Sequence, residues 1–147
     1  MAEALVDSNV LIAALATEHD HHEASSDLLI DGLGDRFAAA AHSYSEVFNN
    51  LTKPRGLYRR SPTLVVESLN TLRGKARPLG LKPDRTFEAI AEFARMGGVG
   101  ARLYDYLIGQ CARQAGLLQI ITWNVGHFRA LFPDLDVRTP VEALRRL

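Results

Sequence analysis

Apolar and polar residues fall in short blocks along the chain, and the spacing inside each block changes from strand-like to helical. Ala4 to Val6 reads as a short buried strand, and Val10, Leu11, Ala14 and Leu15 recur at helical spacing behind Ser8 and Asn9. Asp20-His21-His22-Glu23 has the form of a capping box with Asp20 accepting from the Glu23 amide. It leads into a helix whose apolar face is Leu28, Leu29 and Leu33, before Gly32 and Gly34. Phe37 to Ala41 has strand length, and Ser43-Tyr44-Ser45-Glu46 then opens a helix carrying Val47, Phe48 and Leu51 toward Lys53-Pro54. Leu64, Val65, Leu69 and Leu72 mark a helix after Ser61-Pro62 that closes at Gly74.

The second half repeats the alternation. Ala76 to Leu81 is a strand candidate, Pro83 to Met96 a helix ended by Gly97-Gly98, and Leu103, Leu107, Ile108, Cys111 and Ala115 line a helix that stops near Gly116. Leu117 to Thr122 is an apolar strand, and a last strand falls near Leu135 to Arg138. Strands alternating with helices predict an α/β fold, a three-layer α/β/α sandwich around a parallel sheet of four to five strands. At 147 residues, residues 1–147 are expected to form a single domain with one core.

Composition narrows the setting. The one cysteine, Cys111, excludes an internal disulfide and cysteine-rich zinc modules, and reads as a small core residue; a reducing, cytoplasmic location is expected. No apolar run approaches the ~20 residues of a membrane span, and no basic stretch leads into an apolar one at the start. Net charge is zero, but its distribution is uneven: Met1 to Thr52 holds nine acids against one base, and Lys53 to Arg77 seven bases against one acid.

In open α/β sheets ligands bind beyond the carboxyl ends of the strands, where the next helices begin. Asp7 closes the first strand, Glu46 lies one turn into the helix after the second, Asp105 lies early in the helix feeding the late strand, and Thr122 and Asn124 follow that strand. Right-handed crossovers bring these positions to one edge. Singly each has a structural reading: Asp7 or Ser8 as a helix cap, Glu46 as the glutamate of a capping box, Asp105 as a favourable charge at a helix start. Together, three carboxylates within ~4 Å repel by roughly 4 kcal/mol per pair at an effective dielectric near 20, so a fold that gathers them calls for a cation. Carboxylates without a Cys or His ligand pattern point to Mg²⁺ or Mn²⁺.

Four stretches in order, LVDSNVLIAAL, SYSEVFNNL, YDYLIGQCARQAG and IITWNVGHF, resemble the PIN-domain ribonucleases over nearly the whole chain, and in size the VapC-type toxins of bacterial type II toxin-antitoxin modules. The resemblance implies a Mg²⁺-dependent endoribonuclease that hydrolyses RNA phosphodiester bonds. Asp7 and Asp105 would be the main metal ligands, Glu46 a further ligand or a water anchor, and Ser8, Asn9, Thr122 and Asn124 would orient ligands and water. It also implies an antitoxin partner, an RNA substrate and a homodimer. Many relatives place a fourth acid after the late strand, where this chain has Asn124 and His127; His127, beside Phe128, reads as structural.

Beyond these motifs, the basic stretch Lys53, Arg55, Tyr58, Arg59 and Arg60 is a candidate RNA contact, with cations for phosphates and an aromatic ring for an unpaired base; a solvated connection fits it equally. His19, His21 and His22 lack a closing ligand set and read as surface groups. The competing function is a PIN-like RNA- or protein-binding module with an impaired metal site, which Asn124 keeps open. A phosphoacceptor or phosphatase-like domain would want a second acid beside Asp7, and none is there.

Overall fold

The computed structural model describes residues 2–32 and 36–146. In chain order the elements are β1 (Ala4–Val6), α1 (Ser8–Leu15), α2 (His22–Leu29), β2 (Phe37–Ala40), α3 (Ala41–Thr52), α4 (Pro62–Leu72), β3 (Ala76–Leu79), α5 (Pro83–Arg95), α6 (Arg102–Gln114), β4 (Gln119–Ile121), α7 (Val125–Leu131), β5 (Asp136–Arg138) and α8 (Pro140–Leu144). The strands form one parallel sheet in the order β3-β2-β1-β4-β5. The winding direction reverses between β1 and β4, so the switch point of the sheet lies beyond the carboxyl ends of those two strands.

The three-layer expectation holds, with five strands, and the strand residues explain it. Ala4 and Val6 of β1, Ala39 of β2 and Ile121 of β4 pack into one apolar layer with α1, α2, α3, α4 and α8. Leu5, Ala38, Ala40 and Ile120 point the other way, into a layer with α5, α6 and α7. Period-2 alternation between two cores is what a parallel sheet covered on both faces requires. The small Ala38-Ala39-Ala40 run lets both helical layers approach β2. On the second face Gly109 of α6 lies flat against Phe132: a Cβ there would come within 2.0 Å of the ring. The helix ends at Gly116, whose φ of 73° is open to glycine at little cost.

Several local readings change. The capping box at Asp20 does not form; α2 begins at His22, with no side-chain cap at His21. The connection from α1 folds back tightly instead, and the His22 Nδ1 atom lies 2.8 Å from the Ala13 carbonyl oxygen. The helix expected to open at Ser43 starts two residues earlier, directly after Ala40, because alanine carries the chain from strand into helix without a polar cap. Glu46 is therefore not a capping glutamate. The late strand is shorter than Leu117 to Thr122, and Leu118 is largely exposed. Helix α8 was missed, although Thr139-Pro140-Val141-Glu142 spells its capping box, which is formed in full. Leu33 and Gly34, expected at the end of the second helix, lie outside the described residues.

Candidate active site

Asp7 sits at the end of β1 with an extended backbone and caps α1, its Oδ1 accepting from the Ser8 amide at 2.7 Å. Its other oxygen, Oδ2, accepts from the Thr122 hydroxyl at 2.8 Å, across the switch point. The cap and the cleft thus use the same carboxylate. The Ser8 hydroxyl lies 3.0 Å from Glu46 Oε2 and 3.3 Å from Asp7 Oδ1; its single hydrogen serves one at a time and ties the two acids together.

Thr122 is the hub on the β4 side. Besides donating to Asp7, its Oγ1 accepts from the Asn124 amide at 2.9 Å and from Asn9 Nδ2 at 3.2 Å. Asn9 Oδ1 in turn accepts from the Trp123 amide at 3.2 Å. These bonds lace the start of α1 to the end of β4 and leave Thr122 one orientation. Asn124 does not stand as a bare ligand: its side-chain amide lies 2.7 Å from His127 Nδ1. That nitrogen is 3.7 Å from Asp105 Oδ2, beyond hydrogen-bond length, so the imidazole stands beside the first turn of α6 without bonding to it.

The electrostatics record an unbalanced negative charge. Asp7 is only 4% exposed, and this burial pushes its carboxyl up to about 6, with the charges of Asp105 and Glu46 adding to the rise and the Thr122 and Ser8 hydrogen bonds opposing it. Burial also raises Asp105, reinforced by Glu46 and opposed by His127 and Arg102. Glu46 goes the other way, held below the ordinary carboxylate range chiefly by His42, one helical turn before it on α3. Among the described residues, no Lys or Arg nitrogen lies within ion-pair distance of any of the three acids.

His42 is the residue the sequence reading missed. Its Nε2 lies 3.4 Å from Glu46 Oε1, is closed off from solvent, and forms no aligned hydrogen bond within the described residues. The signal was there as an i, i+4 pair, hidden because the helix was expected to start after it. The basic stretch is further off: Lys53 follows α3 about 10 Å along its axis from Glu46. Arg60 there is paired with Glu18 at 2.8 Å, and Tyr58 packs on the core and tilts against His19, whereas Lys53, Arg55 and Arg59 are exposed. The histidines expected at the surface have structural duties, His21 stacking on Trp123 at 3.8 Å and His22 facing the Ala13 carbonyl. Cys111 is buried as expected, and burial pushes its thiol up to about 11.

No three His, Cys, Asp or Glu side chains among the described residues stand close enough to form a complete metal cage by themselves. The donor set is nevertheless of the kind a hard cation takes. Mg²⁺ is held by one or two carboxylates and keeps several waters, and a positive charge here would relieve the forces that raise Asp7 and Asp105.

The fold and this cleft together define a doubly wound α/β domain with an oxygen-donor site at its switch point. A sequence profile of the PIN domain matches residues 4–129, and the chain belongs to that family. No curated protein matches the chain. Among solved structures it is similar to Mycobacterium tuberculosis VapC20, a Sarcin-Ricin loop cleaving toxin, at TM-score 0.67 and 14% identity over 86% of this chain and 94% of that one. It is similar to VapBC2 from Rickettsia felis, solved with a DNA fragment from its promoter, at TM-score 0.63 and 16% identity over 92% and 97% of the two chains. FitAcB from Neisseria gonorrhoeae gives TM-score 0.64 and 20% identity over 94% and 98%. At these identities the likeness is one of fold.

Proposed function

We propose that the protein is a Mg²⁺-dependent endoribonuclease, with Mn²⁺ as a substitute ion, acting as the toxin of a toxin-antitoxin pair. The observation that carries this reading is the gathering of Asp7, Glu46 and Asp105 around the switch point with no Lys or Arg in ion-pair contact among the described residues, Asp7 being raised to about 6. Structural carboxylates are expected to be paired or solvated, and Asp7 is neither. Family membership and the toxin neighbours support the same direction.

Asp7 and Asp105 would hold the ion and Glu46 would complete its surroundings. When bound, the ion supplies positive charge to the scissile phosphate and lowers the pKa of water, so no covalent protein nucleophile is required. The chain's own part is positioning. Thr122 and the Ser8 amide each occupy one oxygen of Asp7, and each oxygen has further acceptor capacity for the ion. Ser8 couples Glu46 to Asp7, and Asn9 keeps Thr122 in place. Asn124 orients His127 against Asp105, a role for that position that needs no fourth acid.

The partners follow as part of the same proposal: an RNA substrate with Lys53, Arg55 and Arg59 as candidate phosphate contacts, a cognate antitoxin, and a homodimer. Rickettsia felis VapBC2 and FitAB, the latter bound to an IR36 DNA fragment, are neighbours that support an antitoxin-type partner. Among the described residues no helix is long and apolar enough to cross a membrane, and a cytoplasmic location is proposed with the toxin role. The test is incubation of purified protein with structured RNA in magnesium and in chelator. Cutting in magnesium, none in chelator, and a loss of roughly 100-fold or more in Asp105→Ala are expected. Tight RNA binding with no cutting in Mg²⁺ or Mn²⁺ would instead establish a binding module with an impaired metal site.

A further inference from the structure

Beside the acidic cleft, on the α5–α6 face, lies an open groove of about 410 Å³. Leu79, Leu81, Leu107 and Cys111 make its apolar lining, and His42 and Tyr104 line it from the side of the acids. That volume is within the ~300–1,000 Å³ range of small-ligand sites. The groove adjoins the candidate active site through His42. His42 Nε2 stands 3.4 Å from Glu46 Oε1, and Tyr104 immediately precedes Asp105 on α6.

We propose that this groove receives one unpaired base of single-stranded RNA, the base flanking the phosphate held at the carboxylates, with Tyr104 as its stacking platform. The inference rests on the nuclease reading and assigns the part of the substrate that reading leaves open. Tyr104 is 56% exposed, a large aromatic face left in water at the rim of an apolar hollow. A base presents a flat π-face to such a ring and polar edges to its surroundings, and unpaired bases are recognised by stacking together with edge hydrogen bonds. His42, which lines the groove while its Nε2 stands against Glu46, marks the end of the groove nearest the acids. The charges suit the connecting backbone: Lys82, next to the lining residue Leu81, is exposed, and Arg102, two residues before Tyr104, is exposed and close enough to act on Asp105. A base next to the cut phosphate is covalently bound to lie within one nucleotide of the acids, and His42 joins the groove to Glu46.

The test uses the full chain carrying Asp7→Asn, so that RNA is bound without being cut, titrated by fluorescence anisotropy with a labelled single-stranded decaribonucleotide in magnesium. Tyr104→Ala is expected to weaken binding about tenfold, whereas Tyr104→Phe, which keeps the ring, changes it by less than about twofold. Cross-links from a 4-thiouridine-substituted copy of the same RNA should map to the peptide that carries Tyr104. Unchanged affinity in Tyr104→Ala overturns the proposal. So does loss of a dimer by Tyr104→Ala in sedimentation without RNA, since the face would then be an interface between copies of this chain. Cleavage is scored separately in protein with Asp7 intact: Tyr104-dependent binding without cutting supports the groove and overturns the nuclease reading, and cutting with Tyr104-independent binding does the reverse.

Discussion

Thr122 shows how much of the site depends on one hydroxyl. Its Oγ1 donates to Asp7 and accepts from Asn9 and the Asn124 amide, so its donor and both of its acceptor positions are engaged. Replacing it with valine leaves a buried carboxylate oxygen, a backbone amide and a side-chain amide short of a partner. Thr122→Val should lower stability by about 2 kcal/mol by denaturant titration and raise Asp7 further, whereas Thr122→Ser should stay near the parent. Asp7 itself carries a stability cost at neutral pH. Its folded value of about 6 lies above the ordinary 3.8, so between those values the folded protein binds more protons than the unfolded one. Stability of the metal-free protein is therefore highest below that window, falls as pH rises through it, and levels off above it, a change on the order of 3 kcal/mol from this group. Asp7→Asn should remove this group's share of the trend, leaving the part due to Asp105, and be the more stable protein at pH 7.5 in chelator, by about 2 kcal/mol. Parallel stability curves for the two proteins between pH 4 and pH 7.5 would contradict this.

At the scale of elements, α6 carries Asp105 in its first turn and Gly109 one turn later, where the glycine meets the Phe132 ring. The contact fixes how closely α6 approaches α7 and β4, and with it the position of Asp105. Gly109→Ala would force the helix or the ring to move, costing about 1–3 kcal/mol by overpacking even though alanine favours the helix. Thermal unfolding should show the loss, and RNA cutting should fall although no cleft residue has changed. Adding Phe132→Leu should restore part of both. An unaltered melting temperature in Gly109→Ala would show that α6 is not held by this contact. Elements of this kind were partly legible. The Ala4 to Val6 and Phe37 to Ala41 runs announced themselves by composition, the second one residue longer than β2, and Pro62, Pro83 and Gly116 marked helix ends through their fixed or permissive φ. The start of α3 was misread because Ser43 to Glu46 imitates a capping box, and nothing local reveals that Ser43 lies inside the helix, on its buried face. His42 stayed hidden for the same reason. The α5–α6 groove depends on the packing of elements distant in sequence, and no periodicity shows it.

For the whole molecule, the order of strands brings scattered acids to one edge of the sheet. Asp7, Glu46 and Asp105 are separated by tens of residues, and the reversal of winding between β1 and β4 brings them to one edge. The rule that ligands bind at the carboxyl ends of such strands made this convergence legible before the tertiary structure, whereas the bonds of Ser8, Thr122 and His127 that fasten it required coordinates. If the site works as proposed, production of the protein alone should arrest bacterial growth, and Asp105→Ala produced at equal level should not. Equal harmlessness of the two would remove the toxin role while leaving the site chemistry open. The most direct test of the central claim is the rate of RNA cutting as a function of magnesium concentration, with parent and Asp7→Asn compared under identical conditions. The account predicts saturable, magnesium-dependent cutting by the parent and a rate at least about 100-fold lower in Asp7→Asn at every concentration. Cutting by Asp7→Asn at the parent rate, or undiminished cutting by the parent in chelator, would contradict it.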